Sequence, residues 1–200
     1  MKFVRFANGD GAAYGVVDGD TVKEISNSPI GQDYSETGAT HDLNEIKILA
    51  PNPNPSKMLC LALNYGSHLL GADRPTRPQP FYKNTNAIIG PGDAIKLPED
   101  AGLVVCESEL IAIIGKEASK VSESDALDYV FGYTAGNDVS AREWQSGANA
   151  DIQWWRAKSA DTFAPTGPFI VTDIDPQDVA IRGLVNGVEG QKCHSSEMIF

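Results

Sequence analysis

The sequence has no long apolar run and no excess of basic residues, and these two absences exclude several classes of protein. No stretch approaches the roughly 18 consecutive apolar residues that a transmembrane helix requires. The first ten residues become polar before the apolar part of a signal peptide could form. The 16 lysines and arginines face 27 aspartates and glutamates, a net charge of −11, which argues against nucleic acid or an anionic membrane as partner. We therefore expect a cytoplasmic protein that binds neither.

Cysteine is also scarce. Cys60, Cys106 and Cys193 are odd in number and irregularly spaced, which fits neither a disulfide framework nor a zinc site. Hydrophobic residues make up 42% of the 200 residues, which suffices for one well-buried domain with or without a small appendage.

Turn signals and prolines divide the chain into three parts. Residues 1–49 alternate short apolar runs with Asn-Gly and Asp-Gly turns, the pattern of a small antiparallel β unit. Residues 50–56 carry proline at alternate positions and are expected to be an extended linker. Residues 57–200 form the remainder, and the apolar run over 57–63 predicts a strand buried on both faces. The predicted class is mostly β (α+β) with a few short helices, one of them starting at Ala141.

Glu107 and Glu109 stand two residues apart in a β-branched, apolar run bounded by glycine, Leu103–Gly115. Residues i and i+2 of a strand share one face, so both carboxylates should point to one place. Asp138 follows 29 positions after Glu109. Three hard oxygen ligands predict a Mg²⁺ or Mn²⁺ site. The alternative is an exposed strand face with surface partners, which the apolar flanks disfavour.

Four further side chains are candidates for catalysis or binding. His68 follows a buried strand, and its imidazole could remove a proton from a metal-associated water, although a lone histidine can equally be structural. Lys158 lies in an aromatic stretch, where it could extend to solvent or face a substrate carboxylate or developing oxyanion. Gln145 could donate to the same oxygen. Arg142, three residues before Gln145, should hold a ligand carboxylate such as Asp138 in preference to touching substrate.

Five motifs, in order and in register from about residue 57 onward, together resemble the fumarylacetoacetate hydrolase family. They are Leu63-Asn-Tyr-Gly-Ser-His68, Glu107-Ser-Glu-Leu110, Gly132-Tyr-Thr-Ala-Gly-Asn-Asp-Val-Ser-Ala-Arg142, Lys158-Ser-Ala-Asp-Thr-Phe-Ala-Pro-Thr-Gly-Pro168 and Val185-Asn-Gly-Val-Glu-Gly-Gln191.

The resemblance implies a mixed β-roll catalytic domain after a small N-terminal unit, and a homodimer. It implies one divalent cation, Mg²⁺ or Mn²⁺, held by Glu107, Glu109 and Asp138. By the same resemblance His68 belongs to a mobile lid. Gln145 and Lys158 would bind the reacting carbonyl, and Tyr65 and Lys83 would line the pocket. Arg142 is a further candidate for substrate binding, although its first role should be to hold a ligand carboxylate.

The implied function is a metal-dependent hydrolase or lyase that acts on a small 2-oxo or β-diketo acid. A cation would stabilise the enolate formed when a bond to C3 breaks, by hydrolysis or decarboxylation. Two alternatives stay open. The protein could be a keto–enol tautomerase or isomerase on the same acids, or a non-catalytic relative that binds a metal or a small acid.

Two departures from the family pattern affect these expectations. Family hydrolases usually carry a glutamate three residues after the lid histidine, and here that position is Gly71. Decarboxylation and tautomerisation need no activated water, so the departure counts against hydrolysis. Family members also continue with further strands beyond the position of Phe200, so residues 57–200 are expected to lack the last part of the roll.

Overall fold

The computed structural model describes residues 1–69, 71 and 73–200. Strands dominate them, which confirms the mostly β class. The strands are β1 (Lys2–Asn8), β2 (Gly11–Asp18), β3 (Thr21–Ile25), β4 (Glu36–Asp42), β5 (Ile48–Leu49), β6 (Met58–Ala62), β7 (Gln79–Lys83), β8 (Ile88–Ile89), β9 (Val104–Val105), β10 (Ser108–Ile114), β11 (Val130–Asn137), β12 (Ser140–Ala141), β13 (Ala164–Pro165), β14 (Phe169–Val171), β15 (Ala180–Val185) and β16 (Val188–His194). The α-helices are α1 (Arg142–Gln145) and α2 (Trp155–Ser159), and short 3₁₀ turns cover Gly66–Leu69, Thr85–Ala87, Glu123–Tyr129 and Ser195–Glu197. No helix in the described ranges is long and apolar enough to cross a membrane.

The largest sheet joins the start of the chain to its middle. Its strands follow the order β10-β11-β14-β1-β2-β3-β4, with β5 also paired to β1. The turns after Asn8 and Asp18 connect antiparallel neighbours, as their Asn-Gly and Asp-Gly signals predict. Strand β1 pairs antiparallel with β14, Phe3 opposite Ile170. Residues 1–49 therefore extend a sheet that also contains β10 and β11, and their division into a separate domain stays a prediction.

One apolar cluster ties together the elements that carry the polar site. Its buried members are Ala101, Val139, Ala141, Trp144, Ala157 and Phe163. Ala101 comes from the loop before β9, and the others come from the segment around β12, from α1, from α2 and from the turn after α2. Because α1 and α2 are too short to be stable alone, their positions depend on this packing.

The strand predicted over residues 57–63 forms as β6, but its predicted burial on both faces is wrong. Leu59 and Leu61 are 55% and 45% exposed, and Tyr82, opposite Leu59, is 65% exposed. The partly buried Cys60 lies opposite Phe81 on the other face. Among the described residues, the two-stranded β6–β7 sheet is covered on one face only. A continuous apolar run does not show how many faces of a strand are covered.

We expect Phe163→Ala to lower the free energy of unfolding by about 3–5 kcal/mol, since it removes a fully buried aromatic ring from the cluster under the site. Leu127→Ala is the control, because Leu127 is 64% exposed and its truncation should change stability by less than about 0.5 kcal/mol. Urea unfolding followed by tryptophan fluorescence measures both. Equal losses in the two variants would contradict this packing.

Candidate active site

Glu107 and Asp138 lie side by side in the gap between two strand ladders. The β10–β11 pairing ends with Ser108 opposite Asn137, and the β9–β12 pairing continues with Val105 opposite Ser140. Between these ladders the Asp138 N–H donates to the Glu107 carbonyl oxygen over 2.8 Å. The Glu107 N–H donates to the Asn137 side-chain oxygen over 3.0 Å. These two hydrogen bonds hold the backbone of Glu107 next to that of Asp138, so the two carboxylates start from adjacent positions.

Asp138 is buried between two lysines. Lys83 Nζ donates to its Oδ1 over 2.5 Å, and Lys158 Nζ donates to its Oδ2 over 2.6 Å. The side chain of Asp138 is 8% exposed, and those of Lys83 and Lys158 are 0% and 3% exposed. Charges this deeply buried are tolerated only when each has a partner of opposite sign.

Glu107 is held by two cations as well. Lys158 Nζ lies 2.7 Å from its Oε2, and Arg142 NH2 lies 2.7 Å from its Oε1. Arg142 NH1 also donates to Gln145 Oε1 over 2.7 Å, which confirms that the two residues share a face of α1. The expected partner of Arg142 was a ligand carboxylate such as Asp138, and the structure makes that partner Glu107. Arg142 therefore positions a carboxylate, and its expected contact with substrate stays a prediction.

Glu109 is the carboxylate of the three that lacks such a partner. No hydrogen bond or salt bridge to its side chain is present among the described residues. Burial, reinforced by the negative charges of Asp138 and Glu107, raises the pKa of Glu109 to about 7, although Lys158 opposes this shift. Burial and the nearby Glu109 raise the pKa of Tyr65 to about 12. The expected place of Tyr65 in a substrate pocket stays a prediction.

The types of ligand atom in the site fit a divalent cation, but the described carboxylate oxygens are not arranged around one point where an ion could bind. Glu107, Glu109 and Asp138 supply carboxylate oxygens, the donors that Mg²⁺ and Mn²⁺ prefer. Nevertheless, no group of three or more histidine, cysteine, aspartate or glutamate side chains in the described ranges is arranged to hold one ion. Two of the three carboxylates hold lysine instead.

His68 is exposed and lies in the 3₁₀ turn Gly66–Leu69. The backbone N–H of His68 donates to the Tyr65 carbonyl oxygen over 3.0 Å, so the turn starts beside Tyr65. No described hydrogen bond joins its imidazole to a carboxylate. Gly71 has φ +89°, a conformation that L side chains rarely adopt. The backbone itself therefore disfavours a glutamate at position 71. The lid stays a prediction, and Leu70 and Ala72 lie outside the described residues.

Both lysines of the site are buried. Of the two alternatives for Lys158, extension to solvent is excluded, and its Nζ lies 5.1 Å from the centroid of the Phe81 ring, within range of a cation–π interaction. The side chain of Lys83 is fully buried and also donates to the Val139 carbonyl oxygen over 3.2 Å, and its expected place in the substrate pocket stays a prediction. Burial lowers the pKa of Lys83, and Asp138 opposes the shift. Lys83 is the counter-charge of Asp138.

The role of Phe81 was missed from the sequence. Phe81 lies in β7, two residues before Lys83, and its ring also packs edge-on against Trp154 at 5.8 Å. It stands in a proline-rich stretch that gives no periodic signal. Its contact with Lys158 depends on the docking of α2 against β7, which local sequence does not encode.

Comparison with known proteins identifies the family of the chain. Residues 57–200 match the family profile described as "Fumarylacetoacetate (FAA) hydrolase C-terminal", and residues 1–51 match one described as "Rv2993c-like, N-terminal". The mitochondrial oxaloacetate tautomerase fahd2 of Xenopus laevis is 42% identical over 162 residues, covering 78% of this chain. The chain spans about 50% of the length of that relative.

Two solved structures show the same fold. The 5-carboxymethyl-2-hydroxymuconate delta-isomerase of Mycobacterium smegmatis has a TM-score of 0.90 and 40% identity, covering 99% of this chain and 77% of that one. The maleylpyruvate hydrolase of Sphingobium sp. SYK-6, in complex with manganese(II) and pyruvate, has a TM-score of 0.77 and 28% identity, covering 100% of this chain and 78% of that one. The chain belongs to the fumarylacetoacetate hydrolase family, whose members include tautomerases, isomerases and hydrolases.

We expect Asp138→Asn to destabilise the metal-free protein by about 3 kcal/mol, because it leaves two buried ammonium groups without their shared counter-charge. The control is Glu189→Gln, which removes an exposed salt bridge to Arg182 and should leave stability almost unchanged. Urea unfolding in the presence of EDTA measures both variants. If Asp138→Asn costs no more than the control, the buried lysines are not held as described.

Proposed function

We propose that the protein interconverts keto and enol forms of a small 2-oxo acid, such as an oxaloacetate-like acid, through an enolate stabilised by positive charge. The observation that carries this proposal is the buried Lys158 ammonium, 2.7 Å from Glu107 and 2.6 Å from Asp138 in a site that also contains Glu109. Such a preorganised cation in a dry site stabilises an oxyanion more strongly than water does. The relatives named as oxaloacetate tautomerase and delta-isomerase support this choice.

Four residues of the chain have a defined task in this proposal. Lys158 offers its ammonium to the developing enolate oxygen. Gln145 orients the same oxygen through its amide, while Arg142 fixes Glu107. His68, in the turn that begins beside Tyr65, carries the proton between the enol oxygen and C3. A divalent cation, held by Glu107, Glu109 and Asp138, would supply further positive charge to the enolate when bound.

Hydrolysis of a carbon–carbon bond is the second candidate. Its support is the structural similarity to a maleylpyruvate hydrolase that holds manganese(II) and pyruvate. Hydrolysis also requires a base that is fixed in one orientation to activate water. His68 is exposed here, and Gly71, with φ +89°, cannot become glutamate without backbone strain. These two features favour tautomerisation, which needs no water nucleophile.

The test compares two reactions of the same protein in Mg²⁺ and in Mn²⁺: the keto–enol conversion of oxaloacetate and the cleavage of acylpyruvates. We expect kcat/KM to be larger for the conversion. Lys158→Met should reduce the conversion about hundredfold, the usual effect of removing one oxyanion donor. Lys192→Met, on the exposed face of β16, should leave it unchanged.

Faster cleavage of acylpyruvates than conversion of oxaloacetate would make hydrolysis the principal activity. Turnover of neither substrate, with Mn²⁺ or a small acid still bound, would show a non-catalytic binding protein. A Lys158→Met variant with unchanged activity would remove the ammonium from the mechanism.

A further inference from the structure

All four oxygens of Glu107 and Asp138 already have a cationic partner. Arg142 holds Oε1 of Glu107, and Lys83 holds Oδ1 of Asp138. Lys158 Nζ takes the remaining oxygen of each, Oε2 of Glu107 and Oδ2 of Asp138. With Glu109 in its ionised form, the site contains three carboxylates and three basic groups, so their formal charges balance. A divalent cation added to this set would leave a buried excess of positive charge, which is strongly unfavourable.

Lys158 is the basic group best placed to give way to a cation. Lys83 has no exposed side-chain surface and is also bound to the Val139 carbonyl oxygen. Arg142 contacts Glu107 from a side chain that is 39% exposed and does not touch Asp138. Lys158 instead bridges the two carboxylates, which is the position that an ion shared by them must take. The centroid of the Phe81 ring also lies 5.1 Å from Lys158 Nζ, within range of a cation–π interaction with the ammonium.

We propose that the Lys158 ammonium and the divalent cation are alternative occupants of one position. Lys158 neutralises Glu107 and Asp138 in the metal-free protein, and a cation that binds there displaces it. The displaced ammonium then becomes available to the substrate oxyanion. This inference rests on the proposed function, in which Lys158 contacts the reacting oxygen. It adds an order to that function: the cation binds first, and Lys158 serves the substrate only afterwards.

The test measures Mn²⁺ binding alone, by calorimetry and by the electron paramagnetic resonance signal of free Mn²⁺, so that activity plays no part. Lys158→Met removes the competing ammonium and should tighten Mn²⁺ binding by about tenfold or more, since the cation no longer displaces a buried salt bridge. Lys158→Arg keeps a competing charge and should bind Mn²⁺ no more tightly than the unmodified protein.

Lys83→Met is the matched control, because it removes the same charge from the other oxygen of the same carboxylate. It should tighten Mn²⁺ binding by less than about threefold, the modest effect expected of charge alone at a site that keeps its competing ammonium. Thermal melting identifies any variant that is not folded, and the comparison of Lys158→Met with Lys158→Arg then decides the question without Lys83→Met.

Equal tightening in Lys158→Met and Lys83→Met would overturn the proposal, because general electrostatics would then explain both. Unchanged or weaker Mn²⁺ binding in Lys158→Met would overturn it as well. If neither the unmodified protein nor Lys158→Met binds Mn²⁺, the metal dependence of the proposed function fails together with this inference. If the unmodified protein binds Mn²⁺ and is active but Lys158→Met binds no more tightly, the competition alone is wrong.

Discussion

The burial of Asp138 between two lysines is the constraint on which the rest of the site depends. Its carboxylate has a lysine on each oxygen, at 2.5 and 2.6 Å, and none of the three groups is stable in this environment without the others. Lys83 is the last residue of β7, Lys158 lies in α2, and Asp138 lies in the connection between β11 and β12. These ion pairs therefore fix three elements that are far apart in the sequence relative to one another. The apolar cluster that contains Phe163 packs against the same elements.

The same constraint gives the site its chemistry. Adding a divalent cation to a buried set of balanced charges is unfavourable unless a positive charge is released. We propose that Lys158, which bridges Glu107 and Asp138, is the group released. The described residues contain carboxylates suited to a metal but no cluster arranged to hold one ion. In our proposal, the Lys158 ammonium occupies the position that the ion would take. This links cation binding to the availability of the group that stabilises the enolate.

The turn-based features could be predicted from the sequence. The Asn-Gly and Asp-Gly turns define the first hairpins. Strand alternation was expected to place Glu107 and Glu109 on one face, but β10 begins at Ser108 and Glu107 lies in the gap before it. Features that depend on long-range pairing could not. The partner of Lys83 lies 55 positions away, and β1 pairs with β14 across most of the chain. The exposure of Leu59 depends on which layers cover the β6–β7 sheet. The positive φ of Gly71 is a backbone reason for glycine in place of the glutamate that family hydrolases usually carry there. The sequence alone did not reveal it.

A crystal structure of the protein grown with Mn²⁺ tests the central claim most directly. The account predicts an ion in contact with Glu107, Glu109 and Asp138, and Lys158 Nζ beyond hydrogen-bond distance of at least one of the two carboxylates that it now bridges. Lys83 should remain on Oδ1 of Asp138. A structure in which Mn²⁺ binds these carboxylates while Lys158 Nζ still bridges Glu107 and Asp138 would contradict it.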